Sequence, residues 1–356
     1  MAYTTINKPS EYFNTVLYQS NNGTPQSITG VGFQPDFLWV KDRDGGGTHV
    51  LVDAVRGSTK WLGSDQTSGE VTRADQVTSF DSDGFSLGAD SGNFINYSTN
   101  NNVSWNWLAN GSGVSNTDGS ITSTVSANTT SGFSIVKYVG TGSNATVGHG
   151  LGVAPKIVLV KDLSATASWR MFTEMTGNES QLALDQTSAA DSGNTTMWNS
   201  TSPTTTTFSI GTHPNVNTSS NNYITYCFAE KKGFSKFGSY VGNSPTSQAE
   251  YNGPFIYTGF KPAFVILKQA IVGIVSGQAW YMHDNKRTPY NPSSEYLKPS
   301  SSDAEASAPP LIDLLSNGFK VNSGYSAYND NGSTFIYMAF AENPLVGTNN
   351  IPATAR

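Results

Sequence analysis

The side chains with chemistry to offer are few and scattered. Four histidines, His49, His149, His213 and His283, have no metal-ligand spacing between them. A metal centre needs several ligands converging from defined spacings, so no metal is expected. Asp42-Arg43-Asp44-Gly45 and Asp81-Ser82-Asp83-Gly84 open like calcium loops. Position twelve of each is Asp53 and Gly92, where an EF-hand carries Glu. These read as turns in which Asp bonds its own backbone, with a surface calcium left open. Glycoside hydrolysis needs two carboxylates flanking one bond, and the sequence singles out no such pair. Cys227 is the single cysteine, which excludes an intrachain disulfide. No His partner in an electropositive setting accompanies it, so it reads as a small buried apolar residue. Nucleophile elbows, phosphate loops and dinucleotide fingerprints are absent. No catalytic residue and no cofactor is expected. Aromatic side chains that stack on sugars are the remaining chemistry. The candidates are Trp280, Tyr281, Tyr290 and Tyr296, against ordinary packing as the competing reading for each.

The elements that carry these residues recur. Gly32, Gly152 and Gly259 each precede a Pro by three residues, and Lys41, Lys161 and Lys268 each follow that Pro by six. Between Pro and Lys lies an apolar run. His49, Trp169 and Trp280 answer one another further on, as do Leu62-Gly63, Leu182-Ala183 and Tyr296-Leu297. Trp169 and Trp280 sharing one position points to a packing role. Asp53 and Asp284 also share a position, with Thr173 between them in the series. Aromatic-rich strands then close on Ala109, Ala229 and Ala341, spaced by 120 and 112 residues. The unit is too long for a solenoid repeat. Helical periodicity is nearly absent, and short β-branched and aromatic runs are bounded by Asn-Gly and Asp-Gly turns. The expectation is an all-β chain of three tandem β-sandwich repeats, jelly-roll or lectin-like, over 1–112, 113–232 and 233–347, with a tail over 348–356. One larger body of intertwined copies is the alternative. Ser112 to Thr130 reads as a linker or exposed loop. Pro310 to Leu315 reads as a short helix. Met1 to Phe13, which has no counterpart in the other units, reads as an attachment segment.

Charged residues make up 13% of the chain, against roughly 25% in ordinary globular proteins. With a net charge of −6 and no basic cluster, a nucleic-acid partner is excluded. No signal-peptide core opens the chain, and no apolar run is long enough for membrane insertion. Synthesis in a cytosol is expected, although the Ser/Thr/Asn/Gly-rich composition suits work outside a cell.

Phe133-Ser134-Ile135-Val136-Lys137-Tyr138-Val139-Gly140, followed by His149-Gly150-Leu151-Gly152-Val153-Ala154-Pro155, resembles the β-rich repeat proteins of marine bacteriophages. So does Met1-Ala2-Tyr3-Thr4-Thr5-Ile6-Asn7-Lys8-Pro9 leading into Gly32-Phe33-Gln34-Pro35-Asp36-Phe37. The resemblance runs through all three copies and implies a tail-fibre-like or virion surface protein. It implies residence on the virion after synthesis in the host cytoplasm, and other virion proteins as partners. It brings no catalytic residues. A homo-oligomer, with a trimer favoured, and a host surface glycan complete the expected partners. Three sandwiches in one chain mimicking a trimer is the rival arrangement.

Overall fold

The computed structural model describes residues 4–246, 248 and 250–346; the 348–356 tail lies outside them. Each apolar run ending in Lys forms a strand: Phe37–Asp42, Ile157–Asp162 and Phe260–Ile271. Pro35 and Pro155 stand just before their strands, where no ladder bond is lost, and Pro262 sits at a register shift. Each lysine strand pairs antiparallel with a closing strand, respectively Asn101–Trp107, Asn222–Phe228 and Thr334–Pro344. On its other side it pairs with a return strand, Val50–Asp53, Arg170–Thr173 or Trp280–Asp284. Outside each closing strand lies an opening strand, Phe13–Gln19, Phe133–Val139 or Ser235–Val241. This order of four strands is shared by sheets of six, six and four strands. The register is shared too: Phe37 faces Trp107, Ile157 faces Phe228 and Phe264 faces Phe340. The fold is an all-β sandwich.

Smaller sheets form the second layers. They are Gln26–Thr29 with Gly84–Leu87 and Val77–Asp81, then Ala145–Gly148 with Thr207–Ile210. The last comprises Phe255–Tyr257, Gly318–Val321, Ala306–Leu315 and Ser293–Tyr296. Each encloses its own core with the neighbouring large sheet. Leu38, Val40 and Phe85 meet in one, Val158, Val160 and Phe208 in the next, and Val265, Leu267 and Phe319 in the third.

The alternate residues of the same strands point the other way, into one cluster common to the whole chain. Phe37, Trp105 and Trp107 there meet Ile157, Tyr226 and Phe228, and Phe264, Met338 and Phe340. Phe13 stacks on Phe340, and Phe37 stacks on Tyr226. A strand buried on both faces must be apolar at both parities, which is why these runs do not alternate. Unit 3 alone contributes Phe234, Phe237, Phe264, Ile266, Trp280, Met282, Ile336 and Phe340 to this cluster. At roughly 2 kcal/mol for burying each such side chain, separating the units would be prohibitive.

Two expectations are corrected. Within Ser112 to Thr130, Val114–Asn116 and Ser123–Asn128 are strands, the second paired with Phe133–Val139. Ile121 and Val125 are buried beneath them in the unit 2 core. Pro310 to Leu315 belongs to strand Ala306–Leu315, because Leu311, Ile312 and Leu314 fill the unit 3 core. Its prolines fall where the pairing with Ser293–Tyr296 breaks register. Residues 4–13 of the attachment segment are packed on their own chain. Ile6 enters the common cluster, Thr4 Oγ1 donates to Lys232 O at 2.7 Å, and Tyr12 meets Phe234 edge-on.

Candidate functional site

Where the units meet, buried polar groups follow one cyclic pattern. Trp169 Nε1 of unit 2 donates to Gly63 O of unit 1 at 2.8 Å. Trp280 Nε1 of unit 3 donates to Ala183 O of unit 2 at 2.9 Å. His49 of unit 1 closes the circuit through Nε2 to Lys298 O of unit 3, at 3.1 Å. The histidine accepts from Trp39 Nε1 at Nδ1, 2.9 Å away, which places its proton on Nε2. Burial holds its pKa down to about 3, with help from Lys41, so it stays neutral.

Two of the lysines reinforce the same seams. Lys161 Nζ donates to Thr67 O of unit 1 at 2.8 Å and to Ala167 O of its own loop. Lys268 Nζ donates to Thr187 O of unit 2 at 2.8 Å and to its own Gln278 O. Lys41 holds Asp42 O and Gly45 O. Burial lowers all three ammonium groups to about 8. One backbone bond repeats beside them: Glu70 N to Leu163 O, Ala190 N to Ala270 O, and Glu305 N to Arg43 O. Arg43 also pairs with the Glu305 carboxylate at 2.6 Å.

The paired aspartates lie at these seams. Asp53 is buried against Arg56 and accepts from Tyr226 of unit 2 at 2.8 Å. Asp284 is buried against Arg287 and accepts from Trp105 Nε1 of unit 1 at 3.1 Å. Burial works to raise the Asp284 pKa, but Arg287 outweighs it and the carboxyl is held below its usual range. Unit 2 has Thr173 at this position, and unit 3 has Met338 where the other closing strands carry Trp105 and Tyr226. The unit without the acid therefore faces the unit without the donor. Sequence comparison found the shared acid position but missed its partner, because the two lie in different units.

The aromatic candidates do not form a platform. Trp280 is 1% exposed in the common cluster and points away from Tyr281, its neighbour along the strand. It is withdrawn as a sugar-stacking residue. Tyr281 is packed between Tyr296 and Tyr328 on the unit 3 core, with its ring half-buried. Tyr290 is 78% exposed, and among the described residues no ring contact joins it to this group.

Close to Tyr290 in sequence, an open groove of about 640 Å³ runs over the outer face of the unit 3 second layer. It is lined by Glu250, Tyr251 and Asn252, by Asp313, Lys320 and Asn322, and by Pro292 and Pro310. The frame is fixed: Tyr251 N donates to Asn322 O at 2.7 Å. Asn291 brackets Leu314 through both its amide oxygen and nitrogen, each at 2.9 Å. The lining offers carboxylate and amide acceptors, amide and ammonium donors and one flat ring. That set suits a polyhydroxylated ligand. Sequence reasoning missed it, since its residues come from four separated segments.

Cys227 is buried in unit 2, and burial pushes its thiol well above the usual range. Among the described residues, no group of three or more His, Cys, Asp or Glu side chains comes together as a metal site would require. No helix there is long and apolar enough to cross a membrane.

No curated protein matches the chain. A family model described as a domain of unknown function (DUF7483) matches residues 8–344. That span takes in the three large sheets, their second layers and the seams between them, and the chain belongs to the DUF7483 family.

Proposed function

We propose that the chain is a non-enzymatic structural protein on the exterior of a bacteriophage virion: a tail fibre, a tail appendage or a capsid-surface protein. The observation that carries this reading is the cyclic seam. Its buried lysines, tryptophans and aspartates are engaged in holding three β units around one apolar cluster. Such a body presents surfaces and resists opening, which suits a particle exposed after lysis. Because the ring closes within one chain, we place it in the particle as a pseudo-trimer able to occupy a threefold position singly. Electron microscopy of particles labelled with an antibody to this chain tests the reading. Label on tail or capsid is the expected result, and unlabelled particles beside free antigen in the lysate would overturn it.

A second reading is favoured by the unit 3 groove: a receptor- or glycan-binding module of the phage. Tyr251, Asn252, Asp313 and Asn322 would contact the ligand. A glycan array probed with wild type and with Tyr251→Ala tests it. Signal lost in the variant is expected, and no signal in the wild type removes the reading. A polysaccharide depolymerase is the weaker form of this idea, since Glu250 and Asp313 both face an open groove.

A further inference from the structure

Each opening strand has an outer edge as well as its ladder to the closing strand. In unit 2 that edge is filled by the chain itself. Ser123–Asn128 runs antiparallel on Phe133–Val139, with Ser126 opposite Ile135 and Thr124 opposite Lys137. The residues just before it close the adjoining edge of the second layer. Ile121 bridges Val147, and Ser120 N donates to Thr146 Oγ1 at 2.9 Å.

Among the described residues, nothing covers the corresponding edge of unit 3. A tight turn, with Phe234 N and Ser235 N both bonded to Lys231 O, leads straight into Ser235–Val241. Phe234 O and Gly242 N bond toward the closing strand, at Ala341 N and Ser333 O. Even-numbered residues therefore face the ladder, and Ser239 and Val241 direct their backbone groups outward. Both residues are exposed. Among the described residues, no hydrogen bond reaches their outward N–H and C=O groups.

Among the described residues, the adjoining strand, Phe255–Tyr257, is unpaired on its outer side as well. Val241 is 57% exposed, Phe255 47% and Tyr257 53%. Ile256 pairs with Phe319 as Val147 pairs with Phe208 and Ile28 with Phe85. Phe255 and Tyr257 thus stand where unit 2 has Thr146 and Gly148 and unit 1 has Ser27 and Thr29. Unit 1 closes its own edge differently. Gln26 Nε2 donates to Gln19 O at 3.0 Å, and Asn14 Nδ2 to Val31 O at 3.0 Å.

Proteins normally blunt an open edge with proline, outward charge or a covering loop. Ser235–Val241 has no proline, and its one charge, Lys236, is paired with Glu230 at 2.7 Å. An unprotected edge flanked by aromatic side chains is the arrangement used to add a strand from another polypeptide.

We propose that this edge of unit 3 docks an extended strand of a partner polypeptide. The strand runs antiparallel to Ser235–Val241 and seats as Ser123–Asn128 seats in unit 2, with its upstream residues over Phe255 and Tyr257. The inference rests on the fold alone and holds whether or not the chain belongs to a particle.

The probe is a synthetic peptide of residues 113–129, the segment that fills the corresponding edge in unit 2. It is added to the full chain, and backbone-amide hydrogen exchange is followed across 235–241. The expected result is at least tenfold slower exchange at Ser239 and Val241 at saturating peptide. Ser239→Pro removes an outward N–H and leaves the ladder residues intact. It should keep the wild-type Tm and lose the protection at Val241. The double variant Val241→Glu, Tyr257→Glu, which leaves every backbone group in place, should lose it as well. Unchanged exchange in the wild type up to millimolar peptide overturns the proposal. So does protection that persists in both variants. Protection without peptide that disappears on dilution would assign the edge to a second copy of this chain, which also overturns it.

Discussion

Lys161→Met removes one ammonium from the seam between units 1 and 2, and two effects then oppose each other. The Thr67 and Ala167 carbonyls lose a donor, at about 1–3 kcal/mol for each buried acceptor left bare. Against this, burial lowers the Lys161 pKa from 10.5 to about 8. The site thus disfavours the charge by about 3 kcal/mol, from 10.5 − 8 = 2.5 pKa steps of 1.36 kcal/mol. Between pH 8 and 10.5 the unfolded chain holds a proton here that the folded chain has released, so this lysine makes stability rise with pH across that window. The variant has no such group. Its deficit relative to wild type should therefore widen by up to about 3 kcal/mol between pH 7 and 10.5. With an unfolding entropy of about 2.1 cal/mol/K per residue, a chain of this length shifts by about 4 °C. Paired thermal melts in matched buffers measure the difference, and titrations common to both proteins cancel in it. Parallel profiles would show that the ammonium is not enclosed at the seam, and the account of the lysines would fail.

Trp280→Phe strips the donor from Ala183 O at the next seam and should cost about 1–3 kcal/mol in chemical denaturation, with no pH dependence between 7 and 10. Asp53→Ala leaves the Arg56 guanidinium buried without its main partner, and a loss of about 3–5 kcal/mol is expected. Tyr226→Phe, which removes one of several donors to the same carboxylate, should cost only about 1 kcal/mol in the same assay. Cys227 should resist a thiol reagent in the native protein and react fully in guanidinium; rapid native labelling would contradict its burial.

The sequence carried the strand framework because apolar side chains at matched spacing are a local signal. The apolar run 157–160 could be recognised as a strand buried on both faces for that reason. What covers the second face could not be read, since the common cluster is made of residues more than 100 positions apart, such as Phe37 and Phe228. The shared position of Trp169 and Trp280 correctly pointed to packing, and it should have outweighed the reading of Trp280 as a sugar platform. Ser123–Asn128 escaped notice because its inward residues, Ser123 and Val125, give almost no apolar contrast. The prolines near Leu311 suggested the start of a short helix, but the strand absorbs them at a bulge. The groove in unit 3 was invisible for a different reason: its donors and acceptors are ordinary polar residues until the chain brings four segments together.

The contacts from His49 to Lys298 and from Arg43 to Glu305 have a consequence for synthesis. The first unit reaches for acceptors roughly 250 residues downstream, so a chain emerging from the ribosome cannot seal its hub until its last third has been made. Premature termination or a stall would leave the aromatic face of the early sheets open to water and to other nascent chains. Translation of this protein should therefore weigh on chaperones until the C-terminal strands arrive, and truncated products should be cleared by proteases rather than accumulate.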